Sequence, residues 1–132
     1  ATLSDDSKWT KNDNTYTITI KYSVDANYTF DVAYKWGIDA CLDGMLSCTP
    51  YNTSKLFESM AAGEWDAAAK YLDKITGLRD FFVVHDLWPS FSTAMNLLGY
   101  EGNFCPDYVN PINPDYIPLI KAEMIKMGEP VV

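Results

Sequence analysis

Apolar or β-branched residues alternate with polar ones through YTITIKYSV (16–24), a pattern that predicts a half-buried strand. The pattern resumes after Asp25 in ANYTFDVAYKW (26–36), and the two segments together predict a β-hairpin. GIDACLDGMLSCTPYN, with Gly37, Gly44 and Pro50, reads as a loop tied down by cysteine. The apolar spacing then changes to three and four. SKLFESMAA predicts a helix capped by Asn52 or Thr53 and ended by Gly63. EWDAAAKYLDKIT (64–76) predicts a second helix, with Trp65, Ala68 or Ala69, Leu72 and Ile75 on one face and a stop at Gly77. LRDFFVVHDLW is nearly continuous in apolar character and predicts a central strand covered on both faces. Beyond it, STAMNLLG predicts a short helical patch, followed by a loop rich in Asn, Pro and Gly up to Pro114. Ile117, Ile120, Met124 and Met127 are at helical spacing in a last element, roughly 116–127. The order strand, strand, helix, helix, strand, helix predicts an α+β domain.

The length of 132 residues fits a single domain with a core of its own, and 9 Tyr, 6 Phe and 4 Trp are the composition of a packed globule. The net charge of −8, with the basic residues scattered singly, disfavours tight non-specific binding to nucleic acid at neutral pH. That objection weakens at acidic pH. No stretch approaches the roughly 18 to 20 apolar residues of a membrane span, so no membrane partner is expected. The sequence opens without Met, a basic segment or an apolar signal core, which fits a trimmed chain or a mature secreted product. Asn27-Tyr28-Thr29 and Asn52-Thr53-Ser54 satisfy the N-glycosylation pattern and add to an expectation of secretion. Three cysteines, Cys41, Cys48 and Cys105, are an odd number: in an oxidising compartment one bridge leaves one thiol over, free or paired with another chain.

His85 is the only histidine. A lone histidine after a strand serves more often in a structural hydrogen bond than in catalysis. Its surroundings, however, read HDLWP (85–89), which resembles the first active-site signature of the ribonuclease T2 family, usually His-Gly-Leu-Trp-Pro. FDVAYKWGIDAC (30–41) is similar to the family's early strand in Trp36 and Cys41 and departs from it in Lys35 and Gly37. CTP at Cys48, GYEGNFCPD (99–107) and YIPLIKAEMIKMGEP resemble further family segments, so the likeness spans about residues 16–130, with an additional helical stretch near 53–76. The resemblance implies a ribonuclease T2-like antiparallel sheet with packed helices, present as its N-terminal portion. It implies a Cys48–Cys105 disulfide, with Cys41 left over. It also implies His85 as one half of an acid/base pair, Trp88 as a wall positioning substrate, and Trp36 and Lys35 near a base-binding region.

RNA cleavage by attack of the 2′-hydroxyl needs a base, an acid and a cation at the phosphorane. The family's second signature, which supplies the other His with a Glu and a Lys, is absent from this sequence. Two explanations stand. A second polypeptide, joined through Cys41, completes an endoribonuclease of the secretory or endolysosomal/vacuolar lumen. Alternatively, the chain is a catalytically inactive binding, storage or structural relative. Asp86, in place of the family glycine, favours the second, because a carboxylate beside the phosphate repels substrate. Neither explanation lets the chain alone turn over RNA. The pairs Glu64/Asp66 and Asp25/Asp31 read as solvated faces, one His with three dispersed Cys gives no metal pattern, and neither a phosphate-cradling Gly loop nor a nucleophile elbow occurs. No cofactor is expected.

Overall fold

The structure is a computed structural model that describes residues 2–3, 8–12, 15–19, 22–23, 26–38 and 40–132. Strand pairing is confined to its N-terminal part. There β2 (Lys8–Asn12) pairs antiparallel with β3 (Thr15–Thr19), and β1 (Thr2–Leu3) with β4 (Tyr22–Ser23). From Ala26 onward the described chain has no strand. It forms six helices: α1 (Ala26–Lys35), α2 (Gly44–Cys48), α3 (Pro50–Ala62), α4 (Trp65–Val84), α5 (Leu87–Leu97) and α6 (Ile117–Met127), the last preceded by a 3₁₀ turn at Pro114–Tyr116. The expected α+β architecture, a ribonuclease T2-like antiparallel sheet with packed helices, is therefore corrected to a helical body.

Two elements account for the difference. In 26–36, positions four apart serve a strand and a helix alike, and the alternation at Phe30, Val32, Tyr34 and Trp36 suggested the former. The chain instead buries Phe30 and Ala33, three apart, while Val32 and Trp36 are 40% and 70% exposed. Phe30 and Tyr34 meet Phe57 of α3 edge-on at 5.3 and 6.4 Å, which fixes α1 across α3.

In 78–88 a central strand would bury both faces. Only Leu78 and Phe82, one helical turn apart, are buried, and Val83 and Val84 are 51% and 71% exposed. These positions continue the stripe of Ala68, Leu72 and Ile75, so α4 runs 20 residues through Gly77 rather than stopping there. At 1.5 Å per residue α4 is about 30 Å long.

The core is one cluster drawn from all six helices, centred on Leu56, Leu72, Ile75, Phe82, Ile120 and Met124. Gly63 and Gly128 end α3 and α6 in the left-handed conformation, at φ 75° and 90°, where a side chain would be strained.

The start of α3 is unusual. Its N-cap residue, Thr49, makes no side-chain cap bond. Instead the Glu129 carboxylate, 5% exposed, accepts from the backbone N–H groups of Tyr51 and Asn52 at 3.0 Å each. This supplies the orphan donors of a helix N-terminus from 77 residues away.

Candidate functional site

His85 closes α4 and Leu87 opens α5, so HDLWP is a tight helix-to-helix corner and not the end of a strand. The His85 N–H donates to the Phe82 carbonyl at 3.1 Å. Its ring Nδ1 lies 2.7 Å from the Phe81 carbonyl, an acceptor, which puts the proton on Nδ1. The imidazole stacks on Phe81 at 4.1 Å and meets Tyr116 edge-on at 4.9 Å. Asp86 turns the corner at φ 64°, the one non-glycine residue with positive φ among those described. Its carbonyl accepts from the Ser90 N–H at 2.9 Å, and the buried Ser90 hydroxyl donates to the His85 carbonyl. The corner is thus fixed by backbone bonds and the Ser90 hydroxyl, and the histidine ring is held by the Phe81 carbonyl and two aromatic neighbours.

Beside this corner a groove follows α5. Trp88, 51% exposed, is a wall of two hollows. One, about 230 Å³, lies between Asp43, Gly44 and Met45, Arg79 of α4, and Leu87 and Phe91. The other, about 260 Å³, sets Leu87, Trp88 and Pro89 against Val109 and Asn110. Pro89 and Val109 are shared with a third hollow of about 310 Å³ that continues past Thr93 to Asn96 and is closed by Asn103, Cys105 and Ile112. Side chains pin the far wall: the Phe104 N–H donates to the Ser92 hydroxyl at 3.0 Å, and the Cys105 N–H to Asn103 Oδ1 at 3.2 Å. Asp43 caps α2 by accepting from the Met45 N–H at 2.8 Å, and Arg79 pairs with Asp80 at 3.1 Å. A broader depression of about 730 Å³ lies at the other end of α4, around Trp65, Lys70 and Tyr71. Its aromatic faces already carry ammonium groups, Lys35 over Trp65 at 5.1 Å and Lys74 over Tyr71 at 5.6 Å.

Comparison of the chain with protein-family models and with curated proteins finds no match.

The residues singled out from the sequence do not converge. His85 and Trp88 share the corner. Lys35 sits over Trp65 at the start of α4, so it and the adjacent Trp36 are separated from His85 by the length of that helix, about 30 Å. Cys41, Cys48 and Cys105 are free thiols here, and the Cys48–Cys105 disulfide is not formed. Cys48 is buried with its Sγ 3.8 Å from the Phe91 carbonyl, whereas Cys105 Sγ lies 2.9 Å from Asn103 Oδ1 in the groove wall. Burial pushes the Cys48 thiol far above its usual range, and the Glu129 carboxylate adds to the shift. Burial, then Asp43, also raises Cys41.

Asn52 is fully buried, and its Nδ2 donates to the Met127 carbonyl at 3.1 Å and to Glu129 Oε1 at 2.6 Å. A glycan on that nitrogen is incompatible with the fold, so Asn52 is corrected from glycosylation site to core residue. The Asn27 side chain lies outside the described residues. Among the described residues no group of three His, Cys, Asp or Glu side chains is arranged to hold a metal ion, and no helix is long and apolar enough to cross a membrane. The groove itself was missed. Its only sequence signal was an apolar run, VVHDLWP, that satisfied a strand as well as an exposed helix end.

Proposed function

We propose that the chain is a non-catalytic binding module that receives its partner in the groove along α5, with Trp88 as the anchoring side chain. The observation that carries this reading is the position of Trp88, half exposed and walling two adjoining hollows. An exposed tryptophan beside a formed, partly apolar cleft is the arrangement that supplies most binding energy at recognition surfaces. Val83, one helical turn beyond Arg79 on α4, extends the apolar surface at one end. The ligand chemistry that fits is an extended segment with apolar groups for the Trp88 hollows and hydrogen-bonding groups for Thr93, Asn96 and Asn103. The ribonuclease reading draws less support, because the ring contacts at His85 are Phe81 and Tyr116 and the sequence offers no second histidine.

The test uses a neutral apolar dye, Nile red, whose fluorescence reports occupancy. Saturable binding to the native chain, weakened about tenfold or more in Trp88→Ala and unchanged in Trp36→Ala, supports the groove. Equal effects of the two substitutions refute it. RNA cleavage by the isolated chain that His85→Ala abolishes overturns the non-catalytic reading.

A further inference from the structure

The carboxylate at the start of α3 comes from a short C-terminal segment in which Glu129 is the one fully buried residue and Val131 packs half-buried against the core. Gly128 and Pro130, on either side of Glu129, are exposed. The left-handed Gly128 sends its N–H back to the Ile125 carbonyl at 3.0 Å, and the Glu129 N–H returns to the Met124 carbonyl at 3.0 Å, so the end of α6 aims Glu129 inward. Three donors converge on its carboxylate: Tyr51 N–H, Asn52 N–H and Asn52 Nδ2. The rest of the strap is tied from the surface, by the Val132 N–H to the Leu97 carbonyl at 2.9 Å and by Lys121 Nζ to the Val132 carbonyl at 3.0 Å. One observation shows that Glu129 does not satisfy this seat completely. Asn52 Oδ1, on the amide that grips the carboxylate, is buried without a hydrogen-bond partner among the described residues. An unmet buried acceptor is costly, and a ligand carrying a donor beside its carboxylate removes that cost.

From this geometry we infer that the N-terminus of α3 is a binding seat for a small 2-hydroxycarboxylate, held shut in cis by Glu129, with residues 128–132 as the strap. The ligand carboxylate takes the Tyr51 and Asn52 donors in place of Glu129, aided by the positive end of the α3 dipole. Its hydroxyl donates to Asn52 Oδ1. Only the Glu129 side chain then leaves the body, while Val131 and the Val132 and Lys121 bonds keep the end of the strap in place.

The experiment empties the seat and refills it. In Glu129→Ala, the backbone amide signals of Tyr51 and Asn52 are followed by NMR during titration with sodium glycolate, sodium acetate or sodium chloride at matched ionic strength. Glycolate is expected to shift both signals saturably at lower concentration than acetate, chloride to leave them unmoved, and the native chain to respond at least tenfold more weakly because Glu129 competes. Glycolate acting no better than chloride overturns the seat, and acetate acting as well as glycolate overturns the hydroxy-acid assignment. If Glu129→Ala does not fold, Glu129→Ser, whose short side chain leaves the seat open, is titrated in the same way. Absence of selective shifts in that variant is equally decisive.

Discussion

Gly77 separates the helical reading of 65–84 from the strand reading of its second half, because alanine there has opposite consequences in the two. In the structure Gly77 is interior to α4, is not among the glycines with positive φ, and a Cβ added to it meets nothing within 4 Å. No contact is gained and none is crowded, so the effect reduces to backbone preference. Alanine is favoured over glycine inside a helix by about 1 kcal/mol. For a domain of this size that corresponds to a rise in Tm of about 3–5 °C. If the chain instead broke at Gly77, with the glycine in the left-handed position that ends a helix, alanine would cost about 1 kcal/mol and lower Tm by a similar amount. Thermal unfolding of the native chain and Gly77→Ala, followed by circular dichroism, reads the sign directly. A fall in Tm refutes the continuous helix, and with it the placement of His85 at a helix-to-helix corner.

Two other predictions follow from single groups. Cys48 keeps its proton in the folded state while the unfolded thiol ionises near pH 8.5. Its contribution to stability is therefore complete below about pH 8.5 and declines as pH rises further, by at most about 1.4 kcal/mol per unit. Urea unfolding at a series of pH values should show this slope reduced in Cys48→Ala, and a thiol reagent at pH 8 should reach Cys105 well before Cys48. Asp86 holds a left-handed conformation at φ 64°, so Asp86→Gly should raise stability by about 1 kcal/mol in the same unfolding assay, and a loss would show that the carboxylate itself holds the corner.

The sequence carried the helical stripes best where spacing of three and four was unambiguous. Ala68, Leu72 and Ile75 on α4, and Ile120, Met124 and Met127 on α6, are buried as their periodicity indicated. It misled where two periods coincide. Phe30 and Tyr34 fit a strand as well as a helix, and only the small, easily overlooked Ala33 distinguishes them. Gly77 signals a stop locally, since glycine inside a helix is a penalty, yet burial of Leu78 and Phe82 along the same stripe outweighs about 1 kcal/mol. The site was less legible. HDLWP stands out in the sequence for its histidine, while the residue exposed beside a groove is Trp88. The groove takes its second wall from Val109 and Asn110, which no periodicity connects to α5. Asn52 shows the limit of local motifs: the triplet that suggested a glycan surrounds an amide whose partners, Met127 and Glu129, lie about as far along the chain as they can.

The bond from Glu129 to α3 also sets an order of events during synthesis. The first turn of α3 leaves the ribosome 77 residues ahead of the carboxylate that caps it, an interval of about 4–15 s at the usual ~5–20 residues per second. Throughout that interval the donors at Tyr51 and Asn52 have only water or borrowed acceptors. The first turn of α3 is therefore the part of the helical body left uncapped as the chain emerges. That turn is capped last, when the strap arrives, and a nascent chain halted before residue 129 presents an open α3 terminus to whatever acidic group is nearby.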